Sequence, residues 1–240
     1  MVFIIIAGGD EAGRGAVLGP LVISLVSIKE GRIKKLAELG VRDSKMLSRK
    51  RREFLFDDIY SIAEDVKTYS ITPEEINKAM KSNISLNELE AIHFARLIES
   101  TNAPKVYLDS PDVIPEKFGI RISLISSKPL KVNGVKGKKV KAQKEAVARI
   151  IAEHKADIKY PVVSAASIIA KVTRDRAISE LEERLGIEIG SGYPSDKKTI
   201  SAIRENLGNS ELLRHLRDEW KTLKFIRQMK LYEFLTSSHE

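Results

Sequence analysis

Two adjacent carboxylates near the start of the chain, followed by a glycine-flanked arginine, are the residues best suited to chemistry. They are Asp10 and Glu11, and the segment Gly13-Arg14-Gly15 comes directly after them. Carboxylate oxygens are the ligands that hard divalent cations prefer. The glycines expose backbone N–H groups beside a guanidinium, and this combination suits a phosphate or a ribose. Without the arginine segment, an Asp-Glu pair is more typical of a surface turn with solvated charges.

The residues before this pair predict the element that positions it. The apolar run Val2–Ile6 is rich in β-branched residues and too short for a good helix, so we expect a buried strand that ends where the charges begin. Because side chains alternate along a strand, Asp10 and Glu11 point to opposite faces unless the chain bends. The neighbouring glycines permit such a bend.

A second strand of the same kind delivers another carboxylate. The segment Lys105–Asp109 is short and apolar, and it ends in Asp109. Asp112 is the rival for the same role, but it follows Pro111 in a predicted loop instead of ending a strand. The sequence therefore predicts carboxylates at the ends of two strands.

Strands and helices alternate along the chain, which predicts an α/β layer architecture. The further predicted elements are a strand over Pro20–Ile28, a helix over Arg49–Ala63 capped by Ser48, helices that begin at capping boxes at Thr72 and Ser85, a long helix over Ser164–Leu185 and a helical tail over Ser195–Glu240. The segment Gly186–Pro194 comes nearest to a boundary. We therefore expect a main domain over residues 1–190 and a helical C-terminal subdomain over residues 191–240.

Composition favours an anionic partner without identifying one. The 240 residues include 41 Lys and Arg against 33 Asp and Glu, which gives a formal charge of +8 and a pI near 9.5. The absence of cysteine excludes disulfides, thiolate metal sites and a cysteine nucleophile. No apolar run approaches the roughly 20 residues of a membrane span, and no signal peptide is recognisable. We therefore expect a cytoplasmic protein that does not contact a membrane.

A basic segment lies in the middle of the chain. Residues 117–144 contain no acidic side chain, and lysines are crowded between Lys128 and Lys144. Such a run is typical of a solvated loop or hairpin, with Asn133-Gly134 as its turn. It is also suited to following a phosphate backbone, and the two interpretations do not exclude each other.

Together these residues resemble the type 2 ribonucleases H, the ribonuclease HII family, in its archaeal form. The resemblance rests on sequence blocks that occur in family order over most of the chain: Asp10-Glu11-Ala12-Gly13-Arg14-Gly15, Leu18-Gly19-Pro20, Asp43-Ser44-Lys45-Met46-Leu47-Ser48, Leu108-Asp109-Ser110, His154-Lys155-Ala156-Asp157, residues 164–175 and Gly192-Tyr193-Pro194. Each block alone is modest evidence, but jointly they are highly specific.

This resemblance implies a ribonuclease H-like mixed sheet flanked by helices, with a helical C-terminal part that helps to hold a duplex. The family hydrolyses the RNA strand of RNA–DNA hybrids and nicks at ribonucleotides embedded in DNA, leaving 3′-hydroxyl and 5′-phosphate ends. The implied cofactor is Mg²⁺ or Mn²⁺, with two ions roughly 3.5 to 4 Å apart on the scissile phosphate. The implied catalytic and metal-binding residues are Asp10, Glu11, Asp109 and Asp157. His154 is more typical of a sheet or surface residue than of a ligand.

The family also reads the sugar, because the 2′-hydroxyl is what distinguishes RNA from DNA. By resemblance, Gly13, Arg14 and Gly15 contact that hydroxyl, and Tyr193 stacks on the deoxyribose beyond the ribonucleotide. The residues that resemble phosphate-binding positions are Ser44, Lys45 and Lys171.

One stripe of the predicted long helix is polar. It consists of Ser164, Ser167, Lys171 and Arg174, which helical spacing places on one side. The stripe either faces the duplex or is a solvated face on which Lys171 and Asp175 pair.

The sequence departs from the family pattern at several places. Gly9 stands where an apolar β-branched residue usually precedes the aspartate, and Ala16 stands where a proline usually follows the Gly-Arg-Gly segment. We expect both changes to loosen the backbone near the first two ligands without removing either. The basic stretch before Asp157 is longer than usual, and residues 142–154 have strand-like as well as helix-like spacing. The fourth carboxylate therefore has the least support from the sequence.

The end of the chain resembles the interaction box that binds sliding clamps. A glutamine is followed by an aliphatic residue three positions on and a bulky pair three further, which are Gln228, Leu231, Phe234 and Leu235. Such a peptide forms a short helical turn that inserts apolar side chains into a pocket. Alternatively, the apolar residues from Phe225 onward continue an amphipathic helix packed on the C-terminal subdomain.

Two other functions are compatible with parts of this pattern. A non-catalytic hybrid-binding protein keeps a basic surface, but it has no use for clustered acids opposite phosphate. A junction resolvase shares the broad core, but an enzyme that acts only on DNA does not need Arg14 between two glycines. We therefore expect a metal-dependent endoribonuclease that binds RNA–DNA hybrids.

Overall fold

The computed structural model describes residues 4–41, 47–134 and 146–237, and from residue 231 onward it describes the backbone alone. Within these ranges the chain forms a mixed six-stranded sheet of spatial order β3-β2-β1-β4-β6-β5. Its strands are β1 (Ile5–Ala12), β2 (Leu21–Lys29), β3 (Asp65–Ile71), β4 (Lys105–Asp109), β5 (Leu130–Val132) and β6 (Ala148–Glu153). Strand β1 is antiparallel to β2 and parallel to β4, and β6 is parallel to both β4 and β5.

Helices separate most of the strands, as the sequence predicts. They are α1 (Ile33–Glu38), α2 (Arg49–Ile62), α3 (Pro73–Lys81), α4 (Leu86–Glu99), α5 (Pro115–Ile125), α6 (Ala156–Lys159), α7 (Pro161–Leu185), α8 (Lys197–Glu205), α9 (Ser210–Arg214) and α10 (Lys221–Ser237). The predicted caps are confirmed: the side chains of Ser48, Thr72 and Ser85 each accept a hydrogen bond from the N–H three residues on. Across the described ranges, every helix is too short or too polar to span a bilayer.

The chain packs as two compact units. The first contains the described residues of 1–12, 22–69 and 85–172, and the second contains those of 13–21, 70–84 and 173–240. The second unit thus includes two segments that precede residue 190. A boundary inferred from composition divides the chain into continuous stretches, so it cannot show that one unit contains separate segments of the chain.

In the first unit, helices cover both faces of the sheet. On one face, α2 and α7 form an apolar cluster with β1 and β2, whose buried members include Ile6, Val26, Ile28, Leu55, Ile59, Val163 and Ile168. On the other face, the rings of Phe94 in α4 and Phe118 in α5 meet edge to face with centroids 5.9 Å apart. A Cβ atom added at Gly9 on that face would lie 2.8 Å from Phe94 Cε1.

The first strand does not end where the charges begin. Strand β1 continues through Asp10 and Glu11 to Ala12, and Asp10 pairs with Ser24 of β2. The expected end at the first charged residue is therefore wrong, because pairing with β2 extends the strand through Asp10 and Glu11. The chain also has no need of a bend, so Asp10 and Glu11 alternate as residues of one strand.

The second unit has its own apolar core. Its buried members include Val17 and Leu18 of the segment 13–21. The helices contribute Ile178 and Leu181 of α7, Ile203 of α8, Leu212 of α9, and Leu223 and Ile226 of α10. Segment 13–21 is therefore held, through Val17 and Leu18, by helices that lie far away in the sequence. In segment 70–84, the side chain of Asn77 donates to the carbonyl oxygen of Leu216 at 2.9 Å.

Candidate active site

Asp10 is a buried carboxylate in a cluster of like charges. Its Oδ1 accepts the N–H of Glu11 at 2.8 Å, and its carboxyl group also accepts a hydrogen bond from the hydroxyl of Ser167 in α7. Burial raises the pKa of Asp10 well above its usual range, and the negative charges of Glu11 and Asp109 raise this pKa further. The hydrogen bonds act in the opposite direction. A cation bound among these groups would offset both the burial and the repulsion.

The Asp109 carboxylate binds the backbone of the residue that precedes Asp157. Asp109 is the last residue of β4, and its Oδ1 accepts the N–H of Ala156 at 2.9 Å. Asp157 is the next residue, lies in the short helix α6 and is only 1% exposed. The preceding residue, Lys155, adopts a left-handed conformation with φ of 56°, which turns the chain sharply between β6 and α6. Strand β6 therefore ends so that Asp157 is buried beside the end of β4.

The rival carboxylate and the nearby histidine have other partners. Asp112 is buried and forms an ion pair with Arg121 at 2.8 Å, and it also accepts a hydrogen bond from Asn87. His154 is exposed and lies 3.2 Å from the carbonyl oxygen of Val113 through Nε2. Arg121 balances the charge of Asp112, whereas the charge of Asp109 raises the pKa of Asp10. The structure therefore favours Asp109 over Asp112 as the carboxylate that acts together with Asp10.

The donor set fits a hard divalent cation. Among the residues that the structure describes, no three acidic or histidine side chains already stand at the spacing that ligates one ion. The candidate ligands nevertheless offer only carboxylate oxygens, which suit Mg²⁺ and Mn²⁺. The raised pKa of Asp10 also reflects negative charges close enough to repel one another.

The polar stripe of α7 faces neither a duplex nor solvent over most of its length. Ser164, Ser167 and Arg174 are all buried, and the hydroxyl of Ser164 donates to the carbonyl oxygen of Val41. Both expectations for this stripe are therefore wrong for these three residues, since helical spacing alone does not reveal what packs against a polar face. Lys171 is half-buried, and its Nζ donates to Ser167 Oγ at 3.0 Å. Lys171 thus lies next to the hydroxyl that binds Asp10.

Tyr160 is a site residue that sequence reasoning missed. Its hydroxyl donates to Glu153 Oε1 at 3.0 Å, and its ring lies 4.4 Å from that of Tyr107 in β4. Burial and the carboxylate of Glu153 raise the pKa of Tyr160 to about 12. These contacts connect the junction of α6 and α7 to the sheet, so they help to fix Asp157. The only signal in the sequence is a tyrosine before the proline that begins α7.

In the second unit, the Gly-Arg-Gly segment lies against Tyr193. Gly13 has φ of +93°, and a Cβ atom there would lie 2.5 Å from Arg174 Nε, so only glycine fits. Gly15 is exposed, and a Cβ atom added to it would lie 3.9 Å from Tyr193 Cε1. Two of the elements expected to read the sugar are therefore neighbours, and Arg14 lies half-buried between the two glycines.

Arg174 holds the turn that carries Tyr193. Its guanidinium is buried, donates from Nη2 to the carbonyl oxygen of Ser191 at 2.9 Å and lies 4.6 Å from the centroid of the Tyr193 ring. Burial lowers the pKa of Arg174 from its usual value. The cation fixes the ring from one side and leaves Tyr193 only half-buried.

Several predicted binding residues lie outside the described part of the chain. They are Ser44 and Lys45, together with the lysines of residues 135–145. Before residues 135–145, Asn133 and Gly134 form a turn as expected. The strands on either side of the basic segment, β5 and β6, are parallel, so the hairpin interpretation is wrong. The predicted clamp box lies within α10, where Gln228 is exposed. The side chains of Leu231, Phe234 and Leu235 also fall outside the description.

The comparison with known families decides the assignment. The family model for Ribonuclease HII matches residues 7–223. The chain belongs to the ribonuclease HII family. It is 44% identical over 226 residues to Ribonuclease HII of Thermococcus onnurineus, covering 93% of this chain and 90% of that protein.

Two solved ribonuclease HII structures share the fold. The crystal structure of ribonuclease H2 from Pyrococcus horikoshii OT3 has a TM-score of 0.78 and 40% identity, covering 95% of this chain and 99% of that one. The structure of the PCNA:RNase HII complex from Archaeoglobus fulgidus gives a TM-score of 0.76 and 37% identity, covering 91% and 96%. The ribonuclease H-like fold is thereby confirmed, and the ribonuclease HII family makes the chain a metal-dependent ribonuclease H.

Proposed function

We propose that the protein hydrolyses the RNA strand of RNA–DNA hybrids and nicks at ribonucleotides embedded in duplex DNA. The observation that carries this proposal is the placing of Asp10 and Glu11 on β1 next to the parallel strand β4, which ends in Asp109. Burial raises the pKa of Asp10, and the charges of Glu11 and Asp109 raise it further. A protein that only bound a hybrid would gain nothing from buried acids that repel a phosphate backbone.

In this proposal, Asp10, Glu11, Asp109 and Asp157 hold two divalent ions. When bound, the ions supply an activated water and offset the charge of the pentavalent phosphate. Ser167 holds the carboxylate of Asp10 by its hydrogen bond, and Lys171 donates to Ser167.

The second unit supplies discrimination between ribose and deoxyribose in this proposal. Arg14 and its flanking glycines offer donors to the 2′-hydroxyl, and the ring of Tyr193 offers an apolar face to the next sugar. Gly13 and Arg174 are packed too closely for any other residue at position 13.

The direct test is a DNA duplex that carries one ribonucleotide, incubated with Mg²⁺, with Mn²⁺ and with chelator. We expect one nick that needs the metal and leaves 3′-hydroxyl and 5′-phosphate ends. An uncut duplex in both metals, with binding retained, would favour the non-catalytic hybrid-binding alternative. Equal cutting of an all-DNA junction would favour a resolvase.

Arg14→Ala and Tyr193→Ala are each expected to slow cleavage at a single embedded ribonucleotide while the protein stays folded. By analogy with the stacking of an aromatic ring on a base, the lost contact costs ~1–3 kcal/mol. A removed guanidinium leaves the hydroxyl without its donor. Single-turnover rates on the one-ribonucleotide duplex provide the measurement. Tyr193→Phe is the control, because it keeps the ring that rests on Arg174. Normal rates in both alanine variants would place sugar reading elsewhere.

We further propose that the end of α10 binds a sliding clamp. The supporting relative is the Archaeoglobus fulgidus ribonuclease HII, whose structure is that of a complex with PCNA. In this chain Leu223 and Ile226 are buried in the second unit, while Gln228 beyond them is exposed. The buried residues fix the base of the helix, so the box begins where that packing ends.

Calorimetric titration of a clamp with the full-length protein tests this partner. Phe234→Ala is expected to abolish binding, because the bulky pair fills the pocket on the clamp. Phe225→Ala is the matched control, since Phe225 is exposed in the same helix but precedes the box. Equal binding by the two variants, or none by the wild type, would rule the motif out.

A further inference from the structure

Arg217 is a buried arginine that forms hydrogen bonds with the segment containing Arg14. The residue follows α9 in the second unit, and its side chain has no exposed surface. Nε and Nη2 donate to the carbonyl oxygen of Gly19 at 3.1 and 3.0 Å, and Nη1 donates to the carbonyl oxygen of Arg14 at 3.1 Å. The guanidinium carbon lies 5.1 Å from the centroid of the Trp220 ring. One side chain therefore connects both ends of the segment 14–19.

The backbone around Arg217 is tied to the same segment. The N–H of Arg217 donates to the carbonyl oxygen of Val17 at 3.0 Å, and the N–H of Gly19 donates to that of His215 at 2.9 Å. Leu18 and Leu216 form an antiparallel bridge between these two bonds. The main chain at Arg217 is therefore fixed relative to the segment, independently of the side-chain hydrogen bonds.

The bond to Arg14 determines where the next amide points. The peptide bond between Arg14 and Gly15 is trans, so its C=O and N–H groups point in opposite directions. Because the carbonyl oxygen of Arg14 is held by the buried guanidinium, the N–H of Gly15 points away from Arg217. Gly15 is exposed and has no side chain to hold its backbone in place.

We propose that Arg217 is a positioning residue that aims the Gly15 N–H at the substrate sugar. This inference rests on the proposed function, because it gives the buried guanidinium a role in reading the 2′-hydroxyl. A lysine cannot replace it, since an ammonium on a flexible stem lacks the planar fork that reaches two carbonyl oxygens together.

The test compares Arg217→Lys with a variant that also removes packing from the second unit but keeps the Arg217 side chain and its hydrogen bonds. Ile203→Ala suits this purpose, because Ile203 is a fully buried member of the apolar core of the second unit. Both are assayed well below the melting temperature of the less stable one. Arg217→Gln, which can still reach one carbonyl oxygen, is the second variant if Arg217→Lys does not fold.

Two measurements separate positioning from stability. In protein labelled with ¹⁵N-glycine, the Gly15 amide resonance is expected to move in the Arg217 variants and to stay in place in Ile203→Ala. Turnover on the one-ribonucleotide duplex is expected to fall by about 10- to 100-fold in the Arg217 variants, as for a donor displaced by about 1 Å. Ile203→Ala is expected to cut normally.

An unmoved Gly15 resonance, normal turnover in an Arg217 variant or an equal loss in Ile203→Ala would overturn the inference. Failure of the proposed function looks different, because the wild type itself would then leave the one-ribonucleotide duplex uncut. The resonance of Gly15 still reports on Arg217 in that case.

Discussion

Asp10→Asn and Asp109→Asn are expected to abolish divalent-dependent cleavage while leaving hybrid binding almost unchanged. Each substitution removes a negatively charged ligand, and with it several kcal/mol of charge stabilisation at the scissile phosphate. Affinity depends mainly on contacts of Lys and Arg with phosphates, which neither change touches. Single-turnover cleavage in Mg²⁺ and Mn²⁺, beside fluorescence anisotropy of a labelled hybrid, measures the two properties separately. Near-wild-type turnover in either variant would refute the assignment.

The same substitution at Asp10 has a second expected effect, on stability without metal. Burial and the charges of Glu11 and Asp109 raise the pKa of Asp10, so at neutral pH the ionised cluster opposes folding. In chelator, Asp10→Asn is therefore expected to melt at a higher temperature than the wild type. Adding Mg²⁺ is expected to raise the Tm of the wild type more than that of the variant.

Asp112→Asn is the matched control for these variants. Asp112 is a buried carboxylate close in sequence to Asp109, but Arg121 balances its charge. Its loss is expected to lower the Tm, because the guanidinium of Arg121 is left without its partner. Cleavage is expected to continue. Loss of cleavage in Asp112→Asn with the fold intact would instead make Asp112 a ligand.

The sequence predicted those elements that are marked by a pattern of a few neighbouring residues. Strand β4 has the bounds that its apolar pattern predicts, and the capping boxes at Thr72 and Ser85 begin helices. A hydrogen bond from the N–H three residues on to the capping side chain begins each of these helices. Strand β4 pairs with β1 and β6, which are far away in the sequence, but its apolar pattern is local. The same holds for Asp109, which ends its strand.

Long-range packing decided the features that the sequence could not predict. Strand β1 extends to Ala12 because β2 pairs with it. Ser164 is buried, and its hydroxyl donates a hydrogen bond to the carbonyl oxygen of Val41. Arg217 reaches Gly19 across 198 residues of chain. Arg217 is followed by Asp218 and Glu219, and nothing in this local sequence indicates that its side chain is buried.

The two departures from the family pattern are compensated by the packing around them. A Cβ atom at Gly9 would lie 2.7 Å from Leu108 Cδ2 and 2.8 Å from Phe94 Cε1, so large neighbours occupy the space of the missing side chain. Ala16 is buried, and its N–H donates to the carbonyl oxygen of Gly13 at 3.1 Å, a bond that proline cannot make. The packing around both positions is close, and the expected loosening stays a prediction.

Gly8 is the position where the smallest substitution is expected to have the largest effect on stability. A Cβ atom there would lie 2.5 Å from the carbonyl carbon of Val162 and 2.6 Å from the nitrogen of Val163. These are backbone atoms, so no side-chain rotation relieves the clash and α7 must move away from β1. Overpacking a core costs ~1–3 kcal/mol and occasionally more, and we expect Gly8→Ala to lie at the upper end.

The displacement of α7 is also expected to slow cleavage, because α7 carries Ser167, which binds Asp10. Urea unfolding and single-turnover cleavage of Gly8→Ala measure the two consequences. Gly31→Ala is the control in the same unit, since a Cβ atom at Gly31 meets no atom within 4 Å. It is expected to unfold and to cut like the wild type. If both alanine variants unfold at the same urea concentration, the close approach of α7 to β1 at Gly8 does not require glycine. The proposed effect of Gly8→Ala on Ser167 and Asp10 would then be refuted.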